Sequence, residues 1–247
     1  MTVTEAPAAA GVTRPDVRPG QLFIGGQWRE AGDGARLDVV DPSSGRAVTT
    51  IVGGTAADVD AAVTAARTAF PAWRDTPPRE RARVLQRVSA LIRKRADDIV
   101  AVESLDVGKP VSLCRPVDVI TAADAYEYYA ALAQTLSGSH GNVGFPAHAY
   151  TSREPLGVVA AITPFNFPLI LSTSKIAPAL AAGNVVVHKP AEALSALLMA
   201  EILTEAGVPQ RLPRRAGGGV RPGAHRAAVR HRGRGDRDGQ RHRLRAR

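Results

Sequence analysis

Cysteine is nearly absent from this chain of 247 residues, in which Cys114 is the only one. A single cysteine excludes an intrachain disulfide framework and is typical of a reducing compartment, so we expect a cytoplasmic location. The chain lacks an apolar run of about 18 residues, so no membrane-spanning helix is predicted. Residues 1–20 have neither the charged start nor the apolar centre of a signal peptide, and we expect a disordered lead.

Metal-ligand patterns are missing as well. His140 and His148 have no cysteine or carboxylate at the spacing of a metal site, so no metal is predicted. Cys114 lies between two predicted helical segments, and a small buried side chain is the simplest interpretation of it.

Positive charge, by contrast, is concentrated at one end of the chain. The formal net charge is +9, yet residues 211–247 hold 13 arginines against two aspartates, and residues 1–210 carry a small excess of acids. This tail consists mainly of Arg, Gly, Ala and Pro, and it has no aromatic residue on which a base could stack.

Three interpretations of residues 211–247 stay open. A basic arm would bind nucleic acid by neutralising phosphates, and a weakly hydrophobic tail would be a disordered, solvated extension. The third is translation in a shifted frame, because Arg, Gly, Ala and Pro all have codons rich in G and C. A frameshift best explains the abrupt change after Gln210, and nucleic-acid binding has the least support.

Two apolar segments predict a β-α-β unit. Residues 157–162 form a short apolar run closed by Thr-Pro, which is typical of a buried strand. Residues 169–182 have helical periodicity and end at Gly-Asn, and residues 185–187 form a β-branched strand. Such a unit has a right-handed crossover, so its strands are parallel and end at one edge. We therefore expect a doubly wound, Rossmann-like α/β fold with its ligand at that edge.

Three polar side chains follow these strands. The amide of Asn166 would stabilise a developing oxyanion if Phe165 and Phe167 kept it dry, and capping of the next helix is its alternative role. Lys189 would either reach over the sheet edge or be solvated. Glu192 would either accept a hydrogen bond from a ribose hydroxyl or complement a helix dipole.

Three motifs around these residues carry a family resemblance. They are Glu-Pro-Leu-Gly-Val-Val-x-x-Ile-Thr-Pro-Phe-Asn-Phe-Pro-Leu at 154–169, Lys-Ile-Ala-Pro-Ala-Leu-Ala-Ala-Gly-Asn at 175–184 and Lys-Pro-Ala-Glu at 189–192. Together they resemble the aldehyde dehydrogenase superfamily. The resemblance covers residues 20–210, including an opening hairpin at 22–28 and a segment at 103–110 that ends in Gly-Lys-Pro.

This resemblance implies a role for each candidate residue. In the family, the residue matching Asn166 donates its amide to the oxyanion that forms when a cysteine thiolate attacks an aldehyde. The residues matching Lys189 and Glu192 hold the adenosine ribose of NAD, and a carboxylate there disfavours NADP, although NADP is accepted by some members. The cofactor cleft is lined by the backbone of residues matching Ile162, Thr163, Pro164 and Phe165.

The resemblance also implies what this chain lacks. In the family, the glycine-rich turn, the glutamate base and the cysteine nucleophile lie beyond the residue matching 210, and Cys114 does not match the nucleophile. We therefore expect the parent enzyme to oxidise a small-molecule aldehyde to a carboxylic acid with NAD(P), and this chain to be inactive alone. An inactive partner subunit of a full-length relative is the alternative.

The domain organisation follows from these patterns. A partial cofactor-binding domain spans residues 21–210, between the lead at 1–20 and the tail at 211–247. Four helices are predicted: the first starts at Thr55, Pro77-Pro78 opens the second, and the others span about 97–106 and about 118–136. Residues 140–156 are predicted to form a strand pair that, by resemblance, joins subunits into a homo-oligomer.

Overall fold

The computed structural model of the chain describes residues 21–31, 34–144, 147–191 and 194–210. These residues belong to one compact unit, residues 1–213. The predicted lead at 1–20 and the tail at 211–247 lie outside the described residues, and so does Glu192.

Two antiparallel hairpins open the fold. Strand β1 (Gln21–Ile24) pairs with β2 (Gln27–Glu30), and β3 (Arg36–Asp41) pairs with β4 (Arg46–Val52). Gly45 closes the second turn with a φ of 67°, and its N–H donates to the carbonyl of Asp41 at 2.8 Å. The opening hairpin expected at 22–28 is confirmed.

Three helices follow, and local signals set their ends. Helix α1 (Ala56–Arg74) begins at a capping box, in which Thr55 N donates to the Asp58 carboxylate at 2.8 Å and Asp58 N donates to Thr55 Oγ1 at 3.3 Å. Helix α2 (Pro78–Lys94) has proline at its first position. Helix α3 (Ala96–Val107) ends at Gly108, whose φ of 69° is left-handed. All three helices agree with the sequence prediction.

The fourth helical segment begins earlier than predicted. It consists of α4 (Val111–Cys114), a π-helical turn (Arg115–Val119) and α5 (Ile120–Leu132). Cys114 therefore lies inside a continuous helical stretch and not between two segments, although it is buried as expected. Tyr126 is fully buried, whereas Tyr128 is 60% exposed, so only one of these two tyrosines of α5 belongs to the core.

The β-α-β unit is built as predicted. Strand β7 (Val158–Ile162), helix α6 (Pro168–Ala181) and strand β8 (Val185–Lys189) form it, and the two strands are parallel. Helix α6 ends in a Schellman motif, in which Asn184 N donates to Ala179 O at 2.9 Å and Gly183 N donates to Leu180 O at 3.0 Å. Strand β8 is two residues longer than predicted, because its pairing with β7 continues to the end of both strands.

The remaining elements pack around this pair. Helix α1 contacts both strands, α5 packs between α2 and α6, and α7 (Ser195–Glu205) packs on α6. The indole N–H of Trp73 donates to Leu180 O at 3.0 Å, which joins α1 to α6 inside the main core. Within the described residues β8 pairs only with β7. The α/β fold class is confirmed.

A small hairpin precedes the β-α-β unit. Strands β5 (His140–Asn142) and β6 (His148–Tyr150) pair antiparallel within the predicted segment 140–156. None of the helices in the described part of the chain is both long and apolar enough to cross a membrane.

Candidate functional site

The register of β7 and β8 brings two loops to one point. Ile162 and Lys189, the last residues of the two strands, are partners in the parallel register. The pairing continues one step further, since Thr163 N donates to Lys189 O at 3.2 Å. The loop that carries Asn166 and the segment that begins at Lys189 therefore leave the sheet side by side, at the edge where open α/β sheets bind ligands.

Asn166 lies exposed in the short loop between β7 and α6. It does not cap α6, whose N-terminus has no side-chain cap. The predicted dry setting is wrong for the described residues, because Phe165 is 65% exposed and Phe167 is 38% exposed. Ile162 is also exposed, by 72%, so this edge of the sheet presents apolar and amide groups together to solvent. Pro164 is exposed beside them.

Sequence reasoning missed His188 of β8, whose ring contacts both the residue that follows β7 and helix α6. Its Nε2 lies 2.9 Å from Thr163 Oγ1 and 3.3 Å from Ser172 Oγ. Burial lowers the pKa of His188 to about 4, so the ring is neutral at physiological pH and can accept from these hydroxyls. A polar ring within a run of valines and beside a lysine was the available signal.

Lys189 is exposed at the end of β8, where it forms no ion pair with the described residues. An apolar cleft of about 430 Å³ begins beside it and is lined by residues of α1, β8 and α7. A volume of this size lies within the range of small-molecule sites. The free ammonium and the cleft together suit a ligand with a polar sugar and a flat apolar group.

A buried ion cluster, formed by Glu103, Lys109 and Asp118, lies on the inner side of the loop. Lys109 Nζ is 2.5 Å from Asp118 Oδ1 and 3.6 Å from Glu103 Oε2. Burial raises the pKa of Glu103. None of these three residues was predicted to belong to the site.

The described residues at this edge include neither a reactive thiol nor a group of metal ligands. Burial raises the pKa of the Cys114 thiol to about 12, so it carries no nucleophilic thiolate near neutral pH. Across the described ranges, no three His, Cys, Asp or Glu side chains are grouped as metal ligands would be.

Comparison with known proteins identifies the chain. The sequence profile of the aldehyde dehydrogenase family matches residues 28–214, which is most of the chain. The chain belongs to the aldehyde dehydrogenase family.

The backbone fold of the chain is also similar to solved structures of aldehyde dehydrogenases. PnpE from Pseudomonas sp. WBC-3 and a putative aldehyde dehydrogenase from Burkholderia cenocepacia are each 41% identical, with a TM-score of 0.75, and each match covers 78% of this chain and 40% of the other. The aldehyde dehydrogenase of Bacillus cereus, solved as an NAD⁺ complex, is 34% identical with a TM-score of 0.74 over the same shares. PnpE has also been solved with nicotinamide adenine dinucleotide. The chain thus spans about 40% of the length of these relatives.

Proposed function

We propose that this aldehyde dehydrogenase chain supplies the oxyanion-binding amide and part of the NAD site for oxidation of an aldehyde to a carboxylic acid. The observation that carries the proposal is the parallel register of β7 and β8. It sets the Asn166 loop and Lys189 side by side, with Thr163 N bonded to Lys189 O. Both loops therefore leave the sheet at the one edge where an extended dinucleotide would lie.

Each residue has a role that its chemistry supports. The Asn166 amide donates to the aldehyde oxygen as that oxygen gains negative charge. The Lys189 ammonium donates to a ribose hydroxyl, and the backbone of residues 162–165 lines the cleft. NAD, when bound, accepts the hydride from the substrate carbon.

The described residues fit such a cofactor. Lys189 is free of ion pairs within them, and the cleft beside it is apolar and of small-molecule size. The role of Glu192 as acceptor from the ribose stays a prediction, and so does the preference for NAD over NADP that depends on its carboxylate.

Aldehyde oxidation by this chain alone is not expected. The reaction needs a thiolate to attack the aldehyde, and the only cysteine, Cys114, is buried with its pKa raised to about 12. The purified chain should therefore form no NADH from aldehydes, as measured by absorbance at 340 nm. Turnover that persists after repeated purification would contradict this.

Cofactor binding tests the role of Lys189 directly. Titration of the chain with NADH, followed by fluorescence, should show that Lys189→Met weakens binding roughly tenfold, the loss of one charge-assisted hydrogen bond. Lys94→Met is the matched control, since Lys94 is exposed on α2. Equal affinities for the wild-type chain and Lys189→Met would overturn the assignment.

The role of Asn166 needs a nucleophile in the same protein. Residues 21–210 can replace the matching segment of the Burkholderia cenocepacia relative to give a chimera. In it, Asn166→Ala should lower kcat by about 10²–10³ and leave the KM for NAD unchanged. An unchanged kcat would overturn the oxyanion role.

We further propose that the β5–β6 hairpin joins copies of the chain into a homo-oligomer. An isolated two-stranded hairpin is marginally stable, and Tyr150 on β6 is 81% exposed. Tyr150→Ser should lower the molar mass of the oligomer measured by light scattering. Tyr128→Ser, on the exposed surface of α5, should leave that mass unchanged.

For residues 211–247 we propose translation in a shifted frame, in a cytoplasmic protein with a single reduced cysteine. Their composition supports this, as does the end of the family match at residue 214. Sequencing the gene from codon 190 onward should reveal another frame that encodes a glycine-rich turn and a later cysteine. The absence of such a frame would leave the arginine tail as genuine, with salt-dependent nucleic-acid binding as its test.

A further inference from the structure

The loop that carries Asn166 is connected to the buried ion cluster by two contacts. Lys109 Nζ lies 4.3 Å from the centroid of the Phe167 ring, a cation–π contact with the residue that follows Asn166. Glu103 Oε1 accepts a hydrogen bond from Leu169 N at 3.2 Å. That N–H lies in the first turn of α6, where backbone donors have no helical partner.

The cluster holds Lys109 firmly in this position. Glu103 and Asp118 are fully buried and Lys109 is 9% exposed. A buried ammonium between two carboxylates cannot leave without exposing unpaired charge in the interior. The ammonium is therefore a fixed point against which the Phe167 ring rests.

The backbone before Lys109 is equally constrained. Gly108 has a left-handed φ of 69°, and a Cβ added there would lie 2.7 Å from Pro42 Cγ. Only glycine suits this turn. On the other side of Lys109, Pro110 is the residue directly before α4. The Gly-Lys-Pro motif thus directs Lys109 inward at a defined place.

We propose that Lys109 is a positioning residue that orients Asn166 through the Phe167 ring. The inference rests on the proposed oxyanion role of Asn166. The amino end of the loop is fixed by the bond from Thr163 N to Lys189 O, and the carboxyl end is fixed by Lys109 and Glu103. Asn166 lies between these two fixed ends, so its amide is confined to a narrow range of orientations.

Amide exchange by NMR on the full chain tests this role. In Lys109→Met, the N–H groups of Leu169 and Leu171 should exchange at least tenfold faster, and the Asn166 side-chain NH₂ should become more mobile in ¹⁵N relaxation. Exchange in α1 should rise by a clearly smaller factor, which reflects the loss of global stability alone. Lys109→Arg, which keeps the cation, should restore slow exchange, and Lys94→Met should have no effect.

The pattern of exchange separates positioning from general stabilisation. A purely structural role would speed exchange by the same factor at Leu169, at Leu171 and throughout α1 and α2, and that result would overturn the proposal, as would Leu169 and Leu171 rates within twofold of wild type. If Lys109→Met does not fold, the double variant with Asp118→Asn removes one of the two unpaired carboxylates and gives the same readout.

Phe167→Leu tests the ring alone, because it leaves the ion cluster intact. It should speed exchange at Leu171, and its effect combined with that of Lys109→Met should be less than the sum of the two. Additive effects of the two substitutions, or no effect of Phe167→Leu, would contradict the proposal that Lys109 acts on Asn166 through the Phe167 ring.

These readouts need neither NAD nor an aldehyde. Loss of cofactor binding with an ordered loop would overturn the proposed function alone. Unchanged loop exchange in a chain that binds NADH would overturn the positioning role alone.

Discussion

Two Lys-Pro dipeptides of this chain have opposite environments. Lys109, before Pro110, is 9% exposed and lies 2.5 Å from a buried carboxylate. Lys189, before Pro190, is exposed and forms no ion pair with the described residues. The same dipeptide therefore has a buried, ion-paired lysine in one place and an exposed lysine at the end of a strand in the other.

The difference comes from the element that each lysine follows. Lys109 comes after a helix end that packs against the π-helical turn and α4, so its side chain meets Asp118. Lys189 ends a parallel strand at the carboxyl edge of the sheet, where no described element covers it. A lysine at a packed helix end is structural, whereas a lysine at an open sheet edge is available to bind.

The sharpest test of this contrast is Lys109→Met, which keeps the stem and removes the charge. It leaves Glu103 and Asp118 buried without a cation, and we expect a loss of about 3–5 kcal/mol in the free energy of unfolding. Urea denaturation monitored by circular dichroism would measure it. A loss below about 1 kcal/mol would show that the cluster is not a structural ion pair.

His188, directly before Lys189, is half-buried and gives a case between these two lysines. Its pKa is about 4 in the folded chain against 6.5 in the unfolded chain, so unfolding takes up a proton. Its contribution is present above pH 6.5 and is lost as the pH falls to about 4, by up to about 3 kcal/mol.

The variant His188→Gln isolates this contribution, because its side-chain oxygen accepts a hydrogen bond but does not titrate. The difference in unfolding free energy between wild type and variant should shift in favour of the variant below pH 6.5. A difference that stays constant from pH 7 to pH 4 would contradict the lowered pKa.

A buried hydrogen bond between uncharged groups lies at the opposite end of β7 and β8, where the two strands begin. Asn184 is 7% exposed, and its Oδ1 accepts from Gly157 N at 3.0 Å, directly before β7. Asn184→Ala leaves that N–H unpaired and should cost about 1–3 kcal/mol in urea denaturation. Asn142→Ala, at an exposed position of β5, should be close to neutral.

The smallest effect is expected at the other lysine. Lys189→Met should change the free energy of unfolding by less than about 0.5 kcal/mol, because an exposed, unpaired side chain is lost. The same denaturation series measures it. If Lys189→Met lowered the free energy of unfolding as much as Lys109→Met, the two lysines would not differ in their structural role.

Several features followed from the sequence alone. The starts of α1 and α2 and the span of α3 were all predicted, since the ends of these helices depend on backbone hydrogen bonds within a few residues. The parallel β7–β8 pair followed from the length of its crossover. These features predict that Asn166 and Lys189 follow strands that end at one edge of the sheet.

Burial, by contrast, was decided by the tertiary structure. The exposure of Phe165 and Phe167, the neutral ring of His188 and the inward direction of Lys109 had no local signal strong enough to predict them. The Glu103 carboxylate meets Leu169 N, which lies 66 positions further along the chain. Local sequence determines which backbone groups pair nearby, but the cost of burying a charge depends on partners that only the folded chain brings together.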